Sequence, residues 1–488
     1  MNKHQKKSMD LSRRDFLGTM ASVAAFTIVP RSVLGGPGYQ APSDMVNLAG
    51  IGVGAQGGGD IQNIATPDVP IQRPAGMRYT NFGQPYAGIQ PPRMERRASD
   101  APIQMADRPT VKHANIYALC DVDHDYAGYI FAGYPNAKKY KDFREMIDKE
   151  KSIDAVLIGT PDHTHAVIAS YAMKAGKHVF VEKPMTKTIY EARFLADLAK
   201  KTGLVTQMGN QGHNAEGTMQ TVEWIRSGVI GNVSEVHMWT NRPMWRQGYY
   251  QRPEGVPVPA NLDYDLWLGP APEKPYHPDV VHFNWRGLWD YGTGAMGDMG
   301  AHTFDAPIWA LDLGLPTKIQ ATSAPFNNDY APAGEFVTYE FPARGNMPPV
   351  KVSWTEAGLK PARPAALEPN RALREALYIG DKGMIMHGTH GAVPELIPNR
   401  EGFSVPKTLP RPKSVYVDFI EAIKEGRKAA NDFAISAKLT EIMLLTNIAV
   451  MAQRINITLE YDAANMKITN LPEANDYFHY EYRKGWSL

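Results

Sequence analysis

The chain has 488 residues, 43% of them hydrophobic, 21% charged and 10% aromatic, which suffices for two or three domains with real cores and excludes a disordered or collagen-like chain. Its 52 Lys+Arg balance 51 Asp+Glu, arguing against a nucleic-acid binder with a basic stripe. The single cysteine, Cys120, excludes an intrachain disulfide and any cysteine-cluster metal site, and no apolar run reaches the roughly 20 residues that span a bilayer.

Lys3, Lys6 and Lys7 open the chain, and Ser12-Arg13-Arg14-Asp15-Phe16-Leu17 precedes a mild apolar run from Gly18 to Val29. The pattern resembles a twin-arginine export signal with cleavage near Gly35. Residues 1–35 then form a processing segment, the destination is the periplasm, and no stable membrane insertion is expected after their removal. Their loss removes six basic and two acidic groups and turns the formal charge from +1 to −3. Export in the folded state suits a chain that folds without disulfides in a reducing cytosol.

Residues 36–212 read as a dinucleotide-binding domain. Val46–Ile51 is a short apolar run, and Gly52-Val53-Gly54-Ala55-Gln56-Gly57 follows it directly, with a helix starting near Ala55. That is G-x-G-x-x-G between a strand and a helix N-terminus, where backbone N–H groups meet a pyrophosphate. The next strand, Ala114–Cys120, ends at Asp121, 64 residues beyond Gly57. The excess falls in residues 66–112, which hold eight prolines and three glycines and read as a long irregular insertion. Without it, Asp121 falls where a carboxylate accepts the ribose hydroxyls and disfavours a 2′-phosphate, pointing to NAD rather than NADP.

Strands and helices then alternate: a helix at 143–149, a strand at 153–159, a helix at 165–175, a strand at 178–181, a helix at 190–201 and a strand at 204–208. This predicts a parallel, doubly wound sheet with its ligand beyond the carboxyl ends of the strands. Those ends carry Thr160, Pro161, Asp162, His163 and His165, then Glu182, Lys183 and Pro184, then Gly209, Asn210 and Gln211. His163 and His165 also form the His-x-His pair that metal-dependent hydrolases place after a strand, but no late His/Asp pair accompanies them and the glycine loop would go unexplained.

These features, with Cys120-Asp121-Val122-Asp123, Glu182-Lys183-Pro184 and the segment from Gly292 to Asp305, resemble the Gfo/Idh/MocA family of sugar and polyol oxidoreductases. The resemblance spans about residues 45–460. It implies an N-terminal Rossmann domain binding NAD through Gly52, Gly54, Ala55, Gln56, Gly57, Asp121, Thr160, Pro161, His163, His165, Glu182, Lys183 and Asn210. It places Lys183 beside the reacting carbon, makes His302 the general base and gives Asp298 a substrate-binding or His-orienting role. The residues agree with this. Pro184 restricts the backbone of Lys183, an ammonium there stabilises a developing alkoxide, and Asp298, His302 and Asp305 share one helix face. Asp305 reads as a structural carboxylate.

From residue 213 the pattern changes to a helix at 219–227, strands at 233–240, 336–341, 350–356 and 376–379, and closing helices at 417–425 and 439–452. This suits an α+β domain on a large open, mainly antiparallel sheet, which in the family mediates homodimer or homotetramer contacts. Six of the nine tryptophans lie between Trp239 and Trp309, and aromatic faces stack on sugar rings, so Trp285, Trp289 and Tyr291 are candidate substrate platforms. A periplasm offers no pool of free NAD, so the expected enzyme acts on a carbohydrate or polyol CH–OH group and retains its cofactor through turnover. The alternatives are a redox-neutral glycosidase or lyase working through a 3-keto intermediate, and a non-catalytic sugar-binding protein. Glycosidase-type relatives carry Tyr-x-x-His where this chain has Asp298 and His302.

Overall fold

A computed structural model of the protein describes residues 45–72, 112–248 and 250–488; residues 1–35, expected to be an export signal, and most of the proline-rich stretch lie outside the described residues. Six short strands, β1 (Val46–Ile51), β2 (Ala114–Cys120), β3 (Lys138–Tyr140), β4 (Ala155–Ile158), β5 (His178–Glu182) and β6 (Thr206–Gly209), make one sheet in the order 3-2-1-4-5-6. All its pairings are parallel. The central strands are apolar runs because helices cover both faces: every residue of β4 is buried. Between them run α1 (Gln56–Ile64), α2 (Gly128–Gly133), α3 (Phe143–Lys149), α4 (Asp162–Lys174) and α5 (Ile189–Thr202). Local chemistry sets the bounds of α5: Thr188 and Glu191 form a capping box, and Gly203 closes the helix at φ 66°.

The second half opens with α6 (Glu216–Arg226) and β7 (Val233–Trp239), then α7 (Tyr264–Leu268) and α8 (Gly294–Ala310). It continues through β8 (Lys318–Ser323), β9 (Glu335–Phe341), β10 (Val350–Thr355), β11 (Ala376–Gly380), β12 (Gly383–His387) and β13 (Glu395–Ile397). It closes with α9 (Val415–Glu425), α10 (Phe433–Met451), β14 (Leu459–Asp462) and β15 (Lys467–Ile468). Nine strands form a sheet ordered 13-12-11-7-10-9-8-14-15, antiparallel throughout except where β7 pairs with β10. In β9, Val337, Tyr339 and Phe341 point into the core while Phe336 and Glu340 face outward, the period-2 alternation of a sheet covered on one face. The inner face packs on α8 and α10. Helix α10 is long and apolar enough to cross a membrane by length and composition, and it lies mostly buried in this core.

One late element crosses to the first sheet. Helix α9 reads from its place in the chain as part of the second domain, yet Val415, Tyr416, Phe419 and Ile420 pack with Leu48, Leu157 and Phe180. The Phe180 ring stacks on Tyr416 at 5.6 Å and meets Phe419 edge-on at 5.7 Å. This brings a residue from the last sixth of the chain to the rim of the cofactor cleft.

Candidate active site

A cleft of about 1320 Å³ lies beyond the carboxyl ends of β1, β2, β4 and β5, with α8 as its far wall. Its floor is the glycine loop. Gly52 sits at φ +74°, and a Cβ there would come within 2.6–2.8 Å of Thr160. A Cβ on Gly57 would lie 2.3 Å from the Gly52 carbonyl oxygen, and one on Gly54 would lie 2.2 Å from the Tyr126 ring. Gly57 therefore does not face the cleft; it lets α1 close on β1. Helix α1 carries no side-chain cap and no acidic residue in its first turn, so Ala55 and Gln56 offer free backbone donors to the cleft they line. This cradle fits a dinucleotide pyrophosphate. Gly57→Ala is expected to destabilise the fold by about 1–3 kcal/mol and to lower bound NAD per chain, as measured by thermal unfolding and nucleotide release.

Asp121 lines the same cleft, at the end of β2. Its Oδ2 accepts from Val53 and Gly54 N–H at 2.8 and 3.0 Å, and its Oδ1 accepts from Asp123 N–H at 3.0 Å. The carboxylate thus ties the loop to β2 and keeps acceptor capacity on Oδ1 for a ribose hydroxyl. Burial raises its pKa.

A strap from the second half closes over this end. Asp263 N–H donates to the Val122 carbonyl at 2.9 Å, and Asn261 Nδ2 donates to Asp123 Oδ1 at 2.7 Å. His282 Nε2 lies 3.1 Å from Asp123 Oδ2, and its ring stacks on Tyr126 at 3.9 Å and 7°. Burial alone would push the Asp123 carboxyl up, but His282, Tyr126 N–H and Asn261 outweigh it and hold it at about 2. Sequence reading passed over Tyr126, Asn261, Asp263 and His282, because their meeting with the Asp121–Asp123 turn or with one another depends on contacts across more than 130 positions.

The opposite end gathers the ionisable groups. Lys183, just past β5, donates through Nζ to the Asp298 carbonyl at 2.9 Å and to Asp298 Oδ1 at 3.1 Å. Burial raises the Asp298 pKa, but the charges of Lys183, Arg286 and Arg242 overcome this and hold it below the usual carboxylate range. His302, one turn further along α8, also lines the cleft. Its Nδ1 lies 3.0 Å from Asn210 Oδ1, and Asn210 Nδ2 donates to the Ala301 carbonyl at 2.9 Å. Because the amide nitrogen is spent on a carbonyl, Oδ1 must accept, so His302 carries its proton on Nδ1 and presents Nε2 as a lone pair. Burial, with His390, Lys183 and Arg242 nearby, pushes the His302 pKa well down, keeping the ring neutral. His390 stacks on it at 3.8 Å; burial lowers that second imidazole to about 4. Asn210 is thus fully buried behind His302 and does not line the cleft.

Other expected residues fall elsewhere. Thr160 and Pro161 line the cleft, but His163 and His165 sit behind it, with all four ring nitrogens within 3.3 Å of main-chain carbonyls. A neutral ring donates to one carbonyl at a time, and burial holds His163 down at about 3 and lowers His165. His165 pins the loops after β4 and β5 together through Thr160 and Pro184, and His163 ties the start of α4 to Trp267 and Tyr291 of the second half. Glu182 lies on the floor, where Oε1 accepts from Gln211 and Oε2 from Lys183 N–H. It shares a buried acid pair with Asp60, which accepts from Gln56 and Tyr416; burial raises both carboxyls, Asp60 to about 6.

The aromatic platforms need correcting. Trp285 lines the cleft, but its indole N–H is bonded to the His282 carbonyl and the Arg286 guanidinium covers its ring at 4.4 Å. Tyr291 is fully buried against Trp267 and His163, and Trp289 lines a different cavity. Large apolar area serves core and ligand alike, so aromatic density in the chain could not separate the two. Asp305, in contrast, anchors the buried His213 at 2.9 Å.

Comparison with known proteins agrees with this geometry. The Gfo/Idh/MocA oxidoreductase model for an NAD-binding Rossmann fold matches residues 101–210, and the model for that family's C-terminal α/β domain matches residues 222–343 and 366–488. Inositol 2-dehydrogenase of Salmonella typhimurium (strain LT2) is 31% identical over 130 residues, covering 26% of this chain and 38% of that one. The chain thus spans little more than a third of the length of the curated relatives it matches. Aldose-aldose oxidoreductase from Caulobacter crescentus shares the fold with a TM-score of 0.51 at 16% identity, over 86% of this chain and 100% of that one. Levoglucosan dehydrogenase, solved with NADH, does so with a TM-score of 0.51 at 16% identity, over 86% of this chain and 99% of the other. With the glycine cradle, the parallel sheet and both family models in agreement, the chain belongs to the Gfo/Idh/MocA oxidoreductase family and carries its NAD-binding Rossmann fold.

Proposed function

We propose that the protein is an exported, NAD-retaining oxidoreductase acting on a secondary hydroxyl of a sugar, glycoside or polyol. The observation that carries this reading is the convergence of Lys183 Nζ, the Asp298 carboxylate and the lone pair of His302 Nε2 on the cleft that begins at the glycine cradle. Bound NAD supplies the hydride acceptor and donor. His302 takes the hydroxyl proton on Nε2, Lys183 stabilises the oxygen as negative charge develops, and Asp298 holds Lys183 in place and accepts from a neighbouring hydroxyl. The relatives' names, an inositol dehydrogenase and an aldose-aldose oxidoreductase, favour a polyhydroxylated substrate.

Retention rests on the strap and on the twin-arginine pattern at Arg13-Arg14. An exported chain meets no free NAD pool, and the strap over the Asp121–Asp123 turn resists opening through three polar contacts and one ring stack. Denaturing the purified protein is expected to release close to one NAD(H) per chain, identified by absorbance and mass. A His282→Ala, Asn261→Ala double variant is expected to lose that nucleotide on gel filtration. A nucleotide-free protein that gains nothing from added NAD would sink the reading. Trapping a 3-keto product from a glycoside that is also cleaved would assign the redox-neutral glycosidase chemistry instead.

A further inference from the structure

Residues 483–488 return from the second half to the Asp121 end of the cofactor cleft, and Arg483 meets the far end of α7. Its N–H donates to the Pro270 carbonyl at 3.0 Å, Nε to the Gly269 carbonyl at 3.1 Å and Nη2 to the Asp265 carbonyl at 2.8 Å. The Asp265 carboxylate also accepts from Nη1, but it is exposed, so the ion pair adds little. The carbonyls matter more, because a cation at a helix C-terminus satisfies acceptors that the last turn leaves open. The near end of α7 is tied as well. Asp263 caps it by accepting from Leu266 N–H at 3.0 Å, and its own N–H reaches the Val122 carbonyl. The helix that carries Leu266 and Trp267 into the cleft lining is thus held at both ends.

Three residues on, Trp486 lines the cleft itself. Its N–H donates to the Arg483 carbonyl at 3.2 Å, and its ring lies 6.2 Å from that of Phe143, at the start of α3. Arg144, paired with Asp142 at 2.7 Å, sets its guanidinium 4.7 Å from the centre of the indole. The Leu488 carbonyl then accepts from Lys174 Nζ at 2.6 Å, at the end of α4. Trp486 is half-buried, so the indole keeps surface for a ligand. Its place selects the ligand. Asp121 N–H donates to the Tyr140 carbonyl at 3.0 Å and Cys120 Sγ to the Lys141 carbonyl at 3.3 Å, so the end of β2 and the start of α3 border one space. A ribose held by Asp121 carries its adenine one bond away, and a flat base takes an aromatic wall. We propose that residues 483–488 belong to the cofactor site: Trp486 walls the adenine end of the cleft, and Arg483 latches α7, part of the strap that covers it. The adenine wall needs only NAD binding, and its bearing on retention rests on the NAD-retaining reading above.

The test uses the full chain loaded with NADH and follows the release of that nucleotide by its fluorescence. ADP-ribose, the cofactor without nicotinamide, and nicotinamide mononucleotide, the cofactor without adenosine, are titrated separately as competitors. In Trp486→Ala, ADP-ribose is expected to bind roughly 5- to 150-fold more weakly than in the wild type. Nicotinamide mononucleotide should bind as before, and Trp486→Phe should recover most of the loss. Arg483→Met is expected to release NADH about tenfold faster after a chase with excess NAD. Unchanged ADP-ribose affinity in Trp486→Ala, or an equal loss for nicotinamide mononucleotide, overturns the proposal. Arg483→Met leaves the indole in place, so release no faster than in the wild type overturns it even if Trp486→Ala fails to fold. A wild-type protein purified without nucleotide that still shows the ADP-ribose pattern supports the adenine wall and sinks cofactor retention alone.

Discussion

Replacing Lys183 with Ala is expected to lower turnover by about 10²–10³-fold or more while leaving bound NAD per chain unchanged. The cofactor cradle at Gly52–Gly57 and the strap over Asp123 lie at the other end of the cleft and do not touch the Lys183 ammonium. Among the described residues the ammonium hydrogen-bonds only to the Asp298 carbonyl and carboxylate, so its loss strips the site of the donor aimed at the developing alkoxide. It also removes the largest of the charges that oppose burial at Asp298, so the Asp298 pKa should rise in the variant. Arg286, 3.7 Å from the same carboxylate, is too distant to replace the contact. The measurements are steady-state turnover on the best substrate of a glycoside and polyol panel, and nucleotide released on denaturation. Full activity in Lys183→Ala would remove the lysine from the chemistry, and a parallel fall in bound nucleotide would reassign it to cofactor binding.

What the sequence revealed and what it hid divide along one physical line. Elements whose signals are local were legible: the apolar run of β1 followed by the glycine turn, the helix at 143–149 and α5 with its capping box and terminal Gly203. The spacing of Asp298, His302 and Asp305 correctly put them on one helix, α8. Short strands such as β13 and β15, of three and two residues, carry too few positions to show a period. Roles that depend on a distant partner were not legible. Nothing near His163 or His165 reveals that carbonyls of Trp267, Tyr291, Thr160 and Pro184 face their nitrogens. Asn210, read as a cofactor ligand because it follows β6, turns instead to a histidine 92 residues away. His390 escaped notice because it lies on a loop with no motif, held at φ 59° where that loop passes Gly212.

The Asn210–His302 contact yields the second large effect. His302→Ala is expected to cost about 10²–10⁴-fold in turnover, the ordinary worth of a positioned general base, and the pH profile should say how that base is set. Burial and the neighbouring His390, Lys183 and Arg242 lower the His302 pKa well below 6.5. A lowered pKa means that the basic form survives as the pH falls, so the acid limb of kcat/KM should lie well below pH 6.5, with activity flat through neutrality. His390, lowered to about 4, stays neutral over the same range and does not add a limb there. Asn210→Asp would place a carboxylate against Nδ1, stabilise the imidazolium and move the acid limb upward, towards or past pH 6.5. Asn210→Leu would remove the acceptor that fixes the tautomer, lowering kcat with little change in KM. A purely structural Asn210 would alter stability in both variants and leave the limb where it was. A wild-type limb at or above pH 6.5, or a limb unmoved by Asn210→Asp, would show that the base is not a neutral His302 held by this amide.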